Sequence, residues 1–130
     1  MEDKCKKNGE IAELLFSVEI KKRNMIICSP QGDSDQYDFI VDCNSGLKRV
    51  QVKSIWVKCN KKDRYMTKAG HWATKRAYTK VDVFAVYIND LNAWYLIPSN
   101  KVDGVNLCFY PHRSSNGKNE CFLENWGVFG

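Results

Sequence analysis

Residues 37–57 alternate apolar and polar side chains on either side of a turn, and this pattern constrains the fold more than any other stretch of the chain. Tyr37, Phe39 and Val41 fall on one side of the first strand, with Asp38, Ile40 and Asp42 on the other. Asn44-Ser45-Gly46 supplies turn chemistry before residues 47–57 resume the extended pattern. In that second strand Val50, Val52 and Ser54 face one way, and Gln51, Lys53 and Ile55 the other. The reading is a β-hairpin.

The rest of the chain builds around it. Residues 3–22 read as a helix whose apolar stripe, Ile11, Leu14, Leu15 and Val18 with the Lys22 stem, packs on a sheet. Glu10 and Glu13 fit its charged margins, Lys21, Lys22 and Arg23 suit its C-terminal dipole, and Asn24 stops it. A short strand over 25–28 ends at Ser29 and Pro30, before a polar loop over 31–36. Strands over 81–88 and 93–97 flank a turn at 89–92, and 105–110 is a last strand candidate before the aromatic end Phe122, Trp126 and Phe129. The expected fold is mixed α/β with a four- to five-stranded sheet. At 130 residues the chain fits one domain, 1–130, and 44% hydrophobic content argues against a disordered regulator.

No apolar run approaches the roughly 18 to 20 residues that cross a bilayer, and residues 1–12 carry charges where a signal peptide needs an apolar core. No membrane association and a cytoplasmic setting are therefore expected. Six widely spread cysteines without a CxxC pair read as reduced structural thiols.

The net charge of +5 is unevenly distributed. Between residues 58 and 80 lie eight cations, Lys58, Lys61, Lys62, Arg64, Lys68, Lys75, Arg76 and Lys80, against the single acid Asp63. Tyr65, His71, Trp72 and Tyr78 are interleaved among them. Such a segment suits a polyanion with faces to stack on, nucleic acid above all, and equally describes a solvated basic loop. The segment alone does not decide between the two.

The hairpin carries the chemistry. Asp38, Gln51 and Lys53 are polar groups among apolar neighbours, where they lose hydration unless they find partners or a ligand. Asp38 and the Gln51 side-chain oxygen could hold a magnesium ion whose octahedron water and a substrate phosphate complete. Lys53, two residues on, could orient or deprotonate an attacking water and offset charge growing on the phosphate. A simple cross-strand ion pair between Asp38 and Lys53 is the ordinary alternative.

These residues resemble the motif of the PD-(D/E)XK nuclease superfamily, an αβββαβ core with an acid, then acid-x-Lys, on adjacent strands. More narrowly, the chain is similar to the branch that contains a cyanobacterial intron-encoded homing endonuclease. Asn8-Gly9-Glu10-Ile11-Ala12-Glu13, Pro30-Gln31-Gly32-Asp33 and Tyr37-Asp38-Phe39 match in order, followed by Arg49-Val50-Gln51-Val52-Lys53, residues 81–87 and residues 94–98. The resemblance implies Asp38 as the metal-binding acid, Gln51 in the place usually held by Asp or Glu, Lys53 as the catalytic lysine, and Glu10 reaching in from the helix.

It further implies a Mg²⁺-dependent endonuclease, with Mn²⁺ as a substitute ion, that cuts double-stranded DNA as a homo-oligomer, dimer or tetramer. DNA contacts are expected from Lys58, Lys61, Lys62, Arg64, Lys68, Trp72, Lys75 and Arg76. A Holliday-junction resolvase or other structure-specific nuclease is the alternative within the same chemistry. A catalytically silent nucleic-acid-binding subunit is the alternative outside it, motivated by the charge that Gln51 removes from the metal site. Asp33 and Asp35 read as turn residues, His71 and His112 as surface or phosphate contacts, and Trp94 and Trp126 as core aromatics.

Overall fold

The computed structural model describes residues 3–32, 36–70, 78–112 and 117–130. Helix α1 (Lys4–Lys22) begins where the Asp3 carboxylate accepts the Cys5 N–H at 3.0 Å, a side-chain cap for one of the amides a helix start leaves unbonded. It ends where the chain turns into left-handed backbone at Asn24, φ 59°, as the sequence predicts.

Seven strands follow: β1 (Ile26–Cys28), β2 (Phe39–Cys43), β3 (Gly46–Ile55), β4 (Tyr65–Lys68), β5 (Val83–Ile88), β6 (Ala93–Pro98) and β7 (Asn106–Phe109). Five of them form one mixed sheet in the order β1-β2-β3-β5-β6. All its neighbours are antiparallel except β3 and β5, which run parallel with Val50 opposite Val83. The predicted hairpin is β2–β3, in register with Phe39 opposite Val50, and Gly46 closes its turn at φ 106°, where a side chain would be strained. Strands β4 and β7 pair separately as a two-stranded sheet. Among the described residues α1 is the single α-helix, and the connection from β3 to β5 carries β4.

A parallel pair cannot be closed by a tight turn, so its register needs another device. Asp82, just before β5, provides one. Its carboxylate accepts the Arg49 backbone N–H at 2.8 Å and two guanidinium N–H groups at 3.0 and 3.1 Å, while its own N–H donates to the Arg49 carbonyl. That arrangement holds the Asp82 carboxyl below its ordinary pKa, chiefly through the Arg49 hydrogen bonds.

The five-stranded sheet is buried on both faces. Against one face Ala12, Phe16 and Ile20 of α1 pack on Phe39, Val41, Val50, Val52, Ala85, Trp94 and Leu96, with Phe129 closing the end. Against the other, Tyr65, Leu107 and Phe109 of the small sheet pack on Ile55, Phe84, Val86, Tyr95 and Ile97. Burial on both sides is why β5 reads as an unbroken apolar run rather than an alternation.

The helix buries a different stripe from the one expected. Leu14 and Val18 are 69% and 53% exposed, whereas Phe16 and Ile20 are fully buried. Both sets have helical spacing, so periodicity could not choose between them. Bulk does: Phe16 lies within 6.4 Å of the rings of Phe39, Trp94, Trp126 and Phe129, an aromatic cluster assembled from distant segments.

The outer edge of β6 is covered by the C-terminal segment. Trp94 N–H donates to the Glu124 carboxylate, Glu124 N–H donates back to the Trp94 carbonyl, and the Asn125 side chain donates to the Leu96 carbonyl. No described helix is long and apolar enough to cross a membrane.

Candidate active site

Hydrogen bonding carries the hairpin one residue beyond β2, where the Asp38 N–H donates to the Val50 carbonyl at 2.8 Å. This places the Asp38 side chain beside Gln51 and Lys53. One carboxylate oxygen, Oδ2, accepts both the Val52 backbone N–H at 2.8 Å and the Gln51 Nε2 at 3.1 Å. Among the described residues Oδ1 accepts no hydrogen bond. Gln51 Nε2 also reaches the Val52 carbonyl at 3.4 Å, so its Oε1 is the atom left to meet a ligand.

Lys53 forms no ion pair with Asp38, and no described carboxylate comes within ion-pair distance of its Nζ, so the cross-strand bridge is not what holds this pair. Both groups are half-buried. Burial pushes the Asp38 carboxyl above its ordinary pKa, opposed by the Val52 N–H and by the positive field of Lys53. Burial likewise pushes Lys53 down, opposed by Asp38. Two groups each held toward their neutral form, without a direct bond between them, mark a site that keeps polarity for something other than folding.

The helix adds a second carboxylate. Glu13 is pushed up by burial, then by the charge of Asp38 and that of Glu10. Glu13 thus lies within the field of Asp38, and Glu10 is exposed one turn earlier on the helix. The sequence ranks Glu10 first. Their spacing of three residues puts both on one helix face, and only the position of β2 against that face separates them. Glu10 and Glu13 line a groove of about 400 Å³ with Ser17, Ser29 and Phe39. A larger groove, about 610 Å³, lies elsewhere between Lys4, Asn8, Trp56 and Met66, and lacks any carboxylate. Chemistry and volume are therefore in different places.

Among the described residues no three His, Cys, Asp or Glu side chains converge as a ready-made metal cage. Magnesium asks less of a protein: one or two carboxylates, with water and phosphate completing its octahedron. Asp38 Oδ1, Gln51 Oε1 and the nearby Glu13 are hard oxygen donors of that kind. Burial raises the Glu13 pKa most, and the repulsion from Asp38 and Glu10 that adds to it is what a cation would relieve.

The sequence profile of the PD-(D/E)XK endonucleases matches residues 3–126. The chain belongs to this family. Among solved structures, that of the bacterial homing endonuclease I-Ssp6803I matches with a TM-score of 0.84 at 24% identity, over 97% of this chain and 93% of that one. At such identity the likeness is one of fold, and it agrees with the mixed α/β architecture expected from the sequence. No curated protein matches the chain in sequence. PD-(D/E)XK nucleases typically use divalent metal ions. As a member of the family the chain departs from the motif at Gln51, whose carboxamide spends its nitrogen on Asp38 and offers one neutral oxygen.

The basic segment divides sharply in this PD-(D/E)XK endonuclease. Lys61 and Lys62 are exposed on the turn before β4. Lys58 pairs with Asp63 at 2.6 Å, and His112 Nε2 lies 2.7 Å from the same carboxylate, so Asp63 is held below its usual pKa by both. Arg64 is half-buried, bonded to the Tyr110 side chain and lying 3.6 Å from the Met66 sulfur. Lys68 donates to Asn106 across β4–β7. His71, Trp72, Lys75 and Arg76, like Asp33 and Asp35, lie outside the described residues. The segment is thus partly a structural strand that the sequence did not anticipate; among its described cations Lys61 and Lys62 in the turn, and Lys80 just before β5, are exposed. Trp94 and Trp126 pack in the aromatic cluster, the latter under the Arg23 guanidinium.

Proposed function

We propose that this chain is a magnesium-dependent DNA endonuclease that hydrolyses phosphodiester bonds, homing-endonuclease-like or restriction-like in type. The observation that carries the reading is the pairing of a half-buried Asp38 and a half-buried Lys53 that do not neutralise each other. Asp38, Gln51 and Glu13, with Glu10 at the groove's outer margin, are the residues that would hold the ion. When bound, Mg²⁺ supplies a Lewis acid at the scissile phosphate; Mn²⁺ can substitute.

The protein's own contribution is positional. Gln51 and the Val52 N–H fix one oxygen of Asp38, Oδ2, and leave Oδ1 for the ion. Lys53 presents an ammonium toward the space where the transferring phosphoryl group would gain negative charge, and in its neutral form accepts a proton from the attacking water. Its burial favours that exchange, because a lysine with a lowered pKa gives up its proton more readily. Lys61 and Lys62, with Trp72, Lys75 and Arg76, are assigned to the DNA backbone, and double-strand cutting needs a second copy because each chain supplies one site.

Purified protein with Mg²⁺ is expected to cut plasmid DNA, and Lys53→Ala to lower the rate by about a hundredfold or more. Intact plasmid, or a variant that cuts like the parent, overturns the reading. Linear, nicked and four-way DNA in the same assay separates a sequence-reading enzyme from a junction resolvase. Sedimentation velocity that gives a monomer at cutting concentrations removes the oligomer.

A catalytically silent DNA-binding subunit is the second reading, favoured by Gln51 standing where the family motif has an acid, which removes one negative charge from the metal site. Calorimetry with no Mg²⁺ or Mn²⁺ binding, beside salt-sensitive DNA binding, would select it.

A further inference from the structure

Lys53 has a neighbour that the nuclease reading does not use. The Tyr78 ring lies with its centroid 5.3 Å from the Lys53 Nζ, within cation–π range. The ring is backed by Phe84, stacked at a centroid distance of 6.4 Å and an interplanar angle of 20°, and Phe84 is itself buried in the sheet. The backbone around Tyr78 is fastened on both sides. The Tyr78 N–H donates to the Ala69 carbonyl at 3.1 Å, and the next two N–H groups, of Thr79 and Lys80, both donate to the Gln36 Oε1, at 2.8 and 2.9 Å. Gln36 precedes Asp38 by two residues, so one short segment carries both the acid and the clamp on the ring.

We propose that Tyr78 is the positioning residue for Lys53, its ring face holding the ammonium beside Asp38 while Gln36 clamps the segment that carries the ring. The physical need is plain. A lysine with a long flexible stem, half-buried next to a carboxylate, would relax onto it and cover the oxygen that a cation must reach. The electron-rich ring face gives the ammonium a second resting place with no proton to accept and no charge to quench. Asp38 and Lys53 thereby remain separate groups in one site. The inference rests on the nuclease reading for its catalytic meaning, but the contact itself is testable without it.

The experiment compares Tyr78→Leu, which keeps an apolar side chain and loses the ring, with Tyr78→Phe, which keeps the face. Gln36→Leu loosens the clamp without altering the ring. In protein labelled with ¹³C at lysine Cε, the Lys53 methylene, identified by its loss in Lys53→Arg, is expected upfield through ring current in the parent and Tyr78→Phe. It returns to the ordinary lysine position in Tyr78→Leu and partway in Gln36→Leu.

Single-turnover cleavage is expected to fall about tenfold in Tyr78→Leu with the DNA Kd within about twofold of the parent, and Tyr78→Phe to restore most of the rate. Overturning results are an unshifted Lys53 resonance in the parent, equal losses in the Phe and Leu variants, or a loss that lies in Kd alone. If Tyr78→Leu does not fold, Gln36→Leu carries the test by the same two readouts. A parent that cuts no DNA sinks the nuclease reading, whereas a Lys53 signal indifferent to residue 78 sinks the positioning role alone.

Discussion

Asp38 is held in a form that folding alone would not select. Its pKa is raised by burial above the ordinary carboxylate value of 3.8, so the folded chain binds that proton more tightly than the unfolded chain does. Stability therefore falls as pH rises through the window between the two values, and the cost persists at neutral pH. Asp38→Asn keeps an oxygen for the Val52 N–H and removes the charge. It is expected to raise stability at pH 7 by about 0.5 to 2 kcal/mol while abolishing cleavage. The gain should vanish below about pH 3.8, where the parent carboxyl is protonated in both states. Urea unfolding at neutral pH and again in acid below that value measures both, and a variant less stable than the parent at neutral pH removes this account. At this scale much of the candidate site was legible in the sequence. Asp38, Gln51 and Lys53 were visible because polar groups interrupt an apolar alternation. The nearness of Glu13 to Asp38, and Tyr78 and Gln36 as neighbours of the candidate site, were not visible, since each depends on segments that meet only after folding.

Among the elements, α1 records where periodic reasoning runs out. Its limits and caps follow from Asp3 and Asn24, but two apolar sets share its length, and choosing between them required the rings contributed by β2, β6 and the C-terminal turn. Phe16→Ala is expected to cost about 3 to 5 kcal/mol through the cavity it leaves, against under about 1 kcal/mol for Leu14→Ala, which is largely exposed. Chemical denaturation of the two variants decides the matter, and equal costs would restore the stripe read from the sequence. The hairpin and the β5–β6 pair were legible from local alternation and turns. Strand β4 was not, because its partner β7 lies about forty residues away and its four residues sit in a segment dominated by charge.

For the molecule as a whole, part of the positive charge that the sequence displays in the basic segment is engaged within the protein. Lys58, Arg64 and Lys68 are engaged with protein groups, which leaves Lys61 and Lys62 as the exposed cations of the turn before β4. If both meet phosphates, the Lys61→Ala/Lys62→Ala variant should lower the slope of log K against log salt by about 2, at roughly 0.9 for each phosphate the variant leaves to its counterions. Fluorescence anisotropy across a salt series measures it, and an unchanged slope moves the DNA path elsewhere. The covered rim of β6 bears on how copies can join. Sheet extension needs a row of open amides and carbonyls, and there Glu124 and Asn125 already occupy them. The opposite rim offers only the three residues of β1. If copies of this protein share a DNA duplex, the five-stranded sheet offers them little open edge; contacts through side chains would then set subunit spacing, and with it the stagger between two cuts, by surface residues that can change without disturbing that sheet.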